Sequence, residues 1–251
     1  MTPTPRRCRL LIDSAGTGAW NMAVDEVLLC DAAENGRWTF RFYTWSEPTL
    51  SLGYFQTHRD RRAHEPSQRL PLVRRLSGGG AIVHDQELTY SLTGPLHAHR
   101  SVAAQPLARA VHAAWVAWLA LLGVEARLAE ADGADRPASD PFLCFERRTP
   151  GDVLVGEVKI AGSAQRLRGG SLLQHGSVLL ATSPAAPELS GLASISPAHL
   201  VGPMTIEPAL ACLSRTLGFE FERVQLTQTE LTLASRLVRE KYGLATWNER
   251  R

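Results

Sequence analysis

Lys159 and Lys241 are the only lysines in this chain; the other 25 of its 27 basic residues are arginine. Lys241 lies in a charged helical pattern and needs no special explanation. Lys159 sits in Val158-Lys159-Ile160-Ala161-Gly162-Ser163-Ala164-Gln165, an apolar, small-residue stretch where a solvated charge is not expected. An ammonium is a compact point charge, whereas a guanidinium is a planar fork that stays protonated. Lys159 is therefore a candidate for work a guanidinium cannot do; the alternative is that one of two lysines simply fell in a strand. Cys144 is the second candidate. Cys8 is near a terminus, and Cys30 and Cys212 lie in apolar helical patterns, where cysteine acts as a small hydrophobe. Cys144 instead follows a Pro-containing loop, the kind of segment that presents functional groups. A nearby ammonium stabilises a thiolate, and the chain between positions 144 and 159 can fold back, although spacing alone leaves the pairing open.

Glycine supplies the third signal. Gly78-Gly79-Gly80 follows Arg74-Arg75. Successive backbone N–H groups in such a loop can cradle an anion or a polarised carbonyl; a tight turn between strands is the plainer reading. Gly162-Ser163-Ala164 removes bulk beside Lys159, as happens where a backbone or ligand comes close. His175-Gly176 lies between apolar runs, as a core histidine or a site residue. His97, His99 and His112 lack a carboxylate or cysteine to complete a metal set. Asp25-Glu26 and Asp85 show no spacing that argues for acid–base work.

These residues need elements to position them. Leu10-Leu11-Ile12 reads as a strand. Trp20, Ala23, Val24, Val27 and Leu28 recur at helical spacing, and Asn35-Gly36 closes that helix. Phe40, Phe42 and Thr44 alternate, and Leu50 to Tyr54 and Leu72 to Arg75 are strand candidates. Ala81 to His84 and Leu88 to Leu92 read as paired strands around Asp85-Gln86-Glu87. A helix spans roughly Ala103 to Leu122, with Trp115 and Trp118 as core packing. Gly156-Glu157 is a hairpin signal, and Leu172 to Leu180 is a further strand. The last seventy residues read as helix, short strand and helix. The expected class is α+β, in a single domain over 1–251.

Composition sets limits. Hydrophobic residues make up 44%, charged residues 21%, and the net charge is +2. That excludes a strongly basic nucleic-acid binder, and the clusters at Arg6-Arg7-Cys8-Arg9 and Arg59-Asp60-Arg61-Arg62 read as solvated faces that could still receive an acidic protein partner. No apolar run approaches the roughly 18 residues that span a bilayer, and Met1 to Arg7 lacks a signal-type segment. A cytoplasmic protein with free thiols is expected.

Arg74-Arg75-Leu76-Ser77-Gly78-Gly79-Gly80-Ala81-Ile82-Val83-His84-Asp85, then Lys159 to Gln165, then Leu173-Gln174-His175-Gly176-Ser177, resemble the biotin/lipoate protein ligase and octanoyltransferase superfamily. The resemblance covers roughly Leu10 to Leu180. It implies a mixed, largely antiparallel central sheet flanked by helices, with a tunnel for an eight-carbon acyl chain. It implies Cys144 and Lys159 as catalytic residues. Arg75, Ser77, Gly78, Gly79, Gly80, His84, Gly162, Ser163, Ala164, His175 and Gly176 would bind substrate, with no metal. Cys144-Phe145 looks like the Cys-Phe of the cysteine-dependent octanoyltransferases. In that branch octanoate passes from acyl carrier protein to a lysine of a lipoyl carrier domain, in the glycine cleavage H protein or a 2-oxoacid dehydrogenase E2. No cofactor is then required, and neither nucleic acid nor membrane takes part. Ser77-Gly78-Gly79-Gly80 departs from the transferase pattern, which commonly has threonine, two glycines and arginine. Gly80 leaves room that an adenylate could use, so ATP- and magnesium-dependent lipoate ligation stays open, as does a non-catalytic carrier-binding role.

Overall fold

The computed structural model describes residues 5–96, 100–130, 141–196 and 206–251. Among them an eight-stranded sheet runs in the order β11-β1-β2-β6-β10-β9-β8-β7. Its strands are β1 (Arg6–Ile12), β2 (Thr39–Tyr43), β6 (Glu87–Pro95), β7 (Arg127–Leu128), β8 (Val153–Val155), β9 (Val158–Arg168), β10 (Ser171–Leu179) and β11 (Phe219–Arg223). β1 is parallel to β2 and β11, and the remaining pairs are antiparallel. The mixed, largely antiparallel sheet read from the sequence is thus the sheet observed.

Alternation along β2 explains the two layers of helix. Phe40 and Phe42 point into one core with Trp115 and Trp118 of α2 (Arg100–Leu121) and Leu213 of α4 (Glu207–Leu217). Tyr43 points to the other face, where Met22, Val24, Val27 and Leu28 of α1 (Gly18–Asn35) form a second core. Both faces of the strand are buried. The tryptophans of α2 are core, at 0% and 1% exposure. α1 starts at Thr17, whose hydroxyl accepts from Trp20 N–H, and stops at Gly36 in the left-handed region (φ 66°); both caps follow ordinary helix-end chemistry. α3 (Leu192–Ile195), α5 (Gln228–Leu237) and α6 (Ala245–Asn248) complete the helices described.

A second sheet of three strands has β3 (Thr49–Leu52) between β4 (Leu72–Arg74), parallel, and β5 (Ile82–His84), antiparallel. This corrects the expected hairpin of Ala81–His84 with Leu88–Leu92. β5 pairs with β3, whereas β6 pairs with β2 and β10. The chain crosses from one sheet to the other at residues 85–86, and His84 bonds Glu87 across the step (2.5 Å). The glycine loop therefore belongs to the small sheet, and Gly162 and His175 belong to the large one. No helix among the described residues is long and apolar enough to cross a membrane. His97 and His99 lie outside the described residues, as do residues 131–140 of the polar loop.

Candidate functional site

Cys144 opens one 3-10 turn, Cys144–Glu146, held from two sides. Its N–H donates to the Ala81 carbonyl (2.8 Å), and the Ala81 N–H donates to the Phe142 carbonyl (2.9 Å). The turn is thereby stitched to the residue after the glycine loop. From β9, Lys159 Nζ donates to the carbonyls of Cys144 and Arg147 (3.2 Å each) and pairs with Asp152 (2.9 Å). Three ammonium protons thus meet three acceptors. Asp152 also accepts from the N–H and hydroxyl of Thr149. Lys159 is 6% exposed. Sequence reading placed its charge beside the Cys144 sulfur; its contacts here are with the backbone that carries that sulfur.

Arg75 is the cation set against the thiol. A first side-chain carbon at Gly79 would lie 3.1 Å from Arg75 Nη2 and 3.9 Å from Cys144 Sγ, so guanidinium and sulfur flank one point. Arg75 donates to Gly78 and Gly80 carbonyls (2.8 and 2.7 Å) and to the carbonyl and hydroxyl of Ser51 (3.0 and 3.2 Å). It is a staple through the glycine loop. Burial pushes its pKa down to about 10, and the neighbouring Cys144 acts in the opposite sense. At neutral pH it stays a cation.

Two glycines of the loop have separate structural reasons. Gly79 adopts φ 92°, in the region that glycine tolerates best. At Gly80 a side-chain carbon would come within 3.1 Å of Cys144 N, Cys144 Cα and Arg147 Nη2. Its missing side chain is explained by the close approach of the Cys144 turn, so room for an adenylate is not needed to account for it. Gly78 lies beside Phe55, where a side-chain carbon would be 3.6 Å from the ring.

Cys144 lines a narrow cavity that is walled mainly by carbon atoms. Arg75, His84, Gly162, Ser163, Ala164, His175 and Gly176 line it too. Met22, Tyr43, Ile82, Thr89, Phe145 and Ser177 complete the wall. The pairing of β9 with β10 sets Ser163 opposite Gly176 and Ala164 opposite His175, so two sequence motifs meet as one wall. At Gly176 a side-chain carbon would lie 2.3 Å from the Gly162 carbonyl. Ser77 is buried and meets this wall through His175, whereas Gly79 and Gly80 line a second cleft with Phe55 and Phe142, and Gly78 lies beside Phe55.

One hydrogen-bonded chain was not legible in the motifs. Ser77 Oγ bonds His175 Nε2 (2.5 Å), and His175 Nδ1 bonds Asp25 Oδ2 (3.2 Å). Arg41, Ser91 and Tyr43 also bond Asp25. Burial alone would raise the Asp25 carboxyl, but His175, Arg41 and Ser91 together hold it low. Burial pulls the His175 imidazole down despite Asp25. A neutral ring beside an ionised Asp25 then donates from Nδ1 and accepts from Ser77 at Nε2. Asn21 and Asp25 stand four residues apart on the face of α1 that buries Val24 and Leu28. Polar residues on a buried helical face were the available signal. His84, also expected at the site, stacks on Trp45 (3.9 Å) and bonds Ser51 Oγ (2.9 Å).

Two buried imidazoles give stability a direction with pH. His175 and His112 both titrate below the ordinary histidine value, burial being the main cause, against the pull of Asp25 and of the Gly151 carbonyl respectively. As pH falls below about 6.5 the unfolded chain takes up protons that the folded chain refuses. Stability is full above that value and declines below it. The urea midpoint is expected to drop between pH 7.5 and pH 5.5, and to drop less in His112→Asn.

The profile of the lipoyl protein ligase A/B catalytic domain matches residues 17–199. Octanoyltransferase LipM of Carboxydothermus hydrogenoformans is 32% identical, over 92% of this chain and 94% of that protein. Octanoyltransferase LipM of Symbiobacterium thermophilum is 34% identical, over 97% of this chain and 98% of its own. Among solved structures, a putative lipoate protein ligase from T. acidophilum with bound lipoic acid superposes with a TM-score of 0.76 at 25% identity, covering 98% of this chain and 100% of that one. A lipoate-protein ligase A bound with ATP gives 0.74 at 25% identity, covering 98% of each chain. With the profile spanning most of its length and such relatives matching nearly end to end, this chain belongs to the lipoyl protein ligase A/B catalytic-domain family and is an acyltransferase of protein lipoylation.

Proposed function

We propose that this chain moves an octanoyl group from acyl carrier protein to a lysine of a lipoyl carrier domain, such as the glycine cleavage H protein or a 2-oxoacid dehydrogenase E2, through a thioester on Cys144. The observation that carries this reading is a cysteine lining a carbon-walled cavity, with the buried guanidinium of Arg75 in the same wall. The Cys144 thiolate attacks the carbonyl of the donor thioester. The C–S bond to the carrier breaks, and the carrier leaves as a thiolate that takes up a proton. The neutral amine of the acceptor lysine then attacks the acyl-enzyme, loses a proton, and expels Cys144 as thiolate again. A thioester is the higher-energy acyl bond, so amide formation proceeds without a nucleotide. Two half-reactions allow two carriers to dock in turn. The cavity takes the acyl chain, at about 0.8 kcal/mol per buried methylene.

Arg75 holds the glycine loop and faces the sulfur. Lys159 holds the Cys144 turn as a positioning residue. Backbone N–H groups of Gly79 and Gly80 are assigned to the developing oxyanion, where one donor is typically worth about 3 kcal/mol. His175, fixed by Asp25, shapes the far wall and orders Ser77 beneath the loop.

Incubation with octanoyl-acyl carrier protein, followed by intact mass spectrometry, is expected to show one octanoyl adduct that hydroxylamine removes and that Cys144→Ala lacks. An adduct surviving in Cys144→Ala, or none on the parent chain, sinks the thioester. The likeness to an ATP-bound ligase supports a second reading: pyrophosphate release from ATP with free octanoate, indifferent to Cys144→Ala.

A further inference from the structure

Next to the glycine loop lies a surface the transfer chemistry does not use. Phe55 is 66% exposed, the most open of the large hydrophobic residues described, and it packs beside Gly78. Around it stands a collar of arginines. The Arg251 guanidinium lies 5.5 Å from the Phe55 ring; Arg166 and Arg250 lie 5.0 and 4.0 Å from the ring of neighbouring Tyr54. The 3-10 turn His58–Ala63 adds Arg59, Arg61 and Arg62, and its His58 N–H donates to the Arg251 carbonyl (2.7 Å). Two side-chain carboxylates, Asp60 and Glu249, stand among these six guanidinium groups. Asp60 is engaged with the Thr57 N–H (3.1 Å), and Glu249 reaches His58 at 3.9 Å.

A solvated face would leave such cations in water. Here several donors are shielded and unmatched. Arg250 Nε and Nη2, Arg166 Nε and Arg61 Nε are each buried without a hydrogen-bond partner among the described residues, although Arg61 Nη2 donates to the Gln68 and Leu70 carbonyls. One cleft runs from Phe55 and Gln56 past Asp60 to Gly79 and Gly80, so the Phe55 side of this surface leads to the loop beside Cys144, while Arg59, Arg61 and Arg62 line a second cleft with His58 and Glu249.

We propose that this collar docks the donor carrier, with Phe55 as the apolar anchor and the arginines gripping the phosphodiester arm and the acidic surface around it. The inference rests on the acyl-transfer reading above. Charge decides between the two carriers. The donor presents its thioester on an arm that carries a phosphodiester anion. The acceptor presents a lysine, whose approach as a cation the collar opposes. Aromatic and arginine side chains together are also the usual anchors of a protein interface.

The test compares two donors in single-turnover acylation of Cys144: octanoyl-acyl carrier protein and octanoyl-N-acetylcysteamine. Rim charges act mainly on encounter, so Arg59→Glu/Arg62→Glu is expected to slow acylation by the carrier about tenfold or more at low salt. Its salt dependence should flatten as well. Acylation by the small thioester should stay within about twofold, since encounter with an uncharged donor gains little from steering. Phe55→Ala should show the same split. Equal slowing of both donors, or none with the carrier, overturns the proposal. Slowing confined to amide formation with the acceptor moves the surface to the other carrier and overturns it too. A parent chain that neither donor acylates defeats the transfer reading itself, and that result is distinct from a loss seen only in the variants.

Discussion

Lys159→Met is expected to reduce acyl-enzyme formation by about a hundredfold, because the turn that aims Cys144 loses its tie and misplacement by about 1 Å can cost that much. The same change leaves Asp152 buried at 4% exposure without its counter-charge. Removing one partner of a buried pair costs about 3–5 kcal/mol. The two effects are separable. Adding Asp152→Asn to Lys159→Met removes the stranded charge and should recover most of the urea midpoint while leaving acylation low. Recovery of both would mean that Lys159 serves stability alone. Lys159→Arg is the sharper comparison. The ammonium feeds three acceptors from one point, and a side-chain carbon at Gly162 would already lie 2.7 Å from Lys159 Cε. A planar guanidinium has neither that geometry nor that room. Acylation in Lys159→Arg is expected to fall about as far as in Lys159→Met, with the charge retained; full activity would show that any cation suffices.

Rare residue types made Lys159 and Cys144 legible in the sequence. A lysine in an arginine-rich chain, set among glycine and serine, stands out because nothing about solvation explains it. The glycine loop stood out because three glycines in a row have no packing value of their own. The relation between these residues was not legible. Lys159 meets the carbonyl of Cys144, and Arg75 lies on the side of the glycine loop, because β9 and the small sheet both contact the same turn. No spacing encodes that. Asp25 was passed over because its partners, Arg41, Ser91 and His175, come from three separate strands. Lys241 shows the converse. It looked like a solvated helical charge, yet it pairs with Glu26 (2.6 Å), which is 5% exposed, and lies over the Trp247 ring (4.1 Å). A buried carboxylate on α1 calls for a cation, and the chain folds its distant C-terminal segment back to supply one. The strands β1, β2 and β10 were legible because short apolar or aromatic runs between turn signals read as strands, and β2 and β10 are buried along their whole length. The misread pair β5 and β6 failed because a polar turn says that the chain bends and not which sheet receives it.

Gly53→Ala is expected to damage the site more than its chemistry suggests, since one methyl group enters where the Gly79 carbonyl already lies. The new carbon would sit 2.0 Å from the Gly79 oxygen and 3.3 Å from Arg75 Nη2. Real contacts of this kind do not fall below about 3 Å, so the loop must move by about 1 Å, and a shift of that size next to the reacting atoms costs about a hundredfold in rate. Gly53 cannot yield instead. Its N–H donates to Gln56 Oε1 and its carbonyl accepts from Arg74, both at 2.9 Å. Stability should fall by only about 1–3 kcal/mol, the usual cost of overpacking. Gly156→Ala is the matched control. Gly156 has φ 55° with nothing within 4 Å of the added carbon. It should lose about 1 kcal/mol from the left-handed backbone, with acylation unchanged. Single-turnover acylation of the two alanine variants then weighs steric intrusion at the loop against backbone strain at a remote turn. Equal acylation by both would mean that the position of the glycine loop does not govern attack by Cys144.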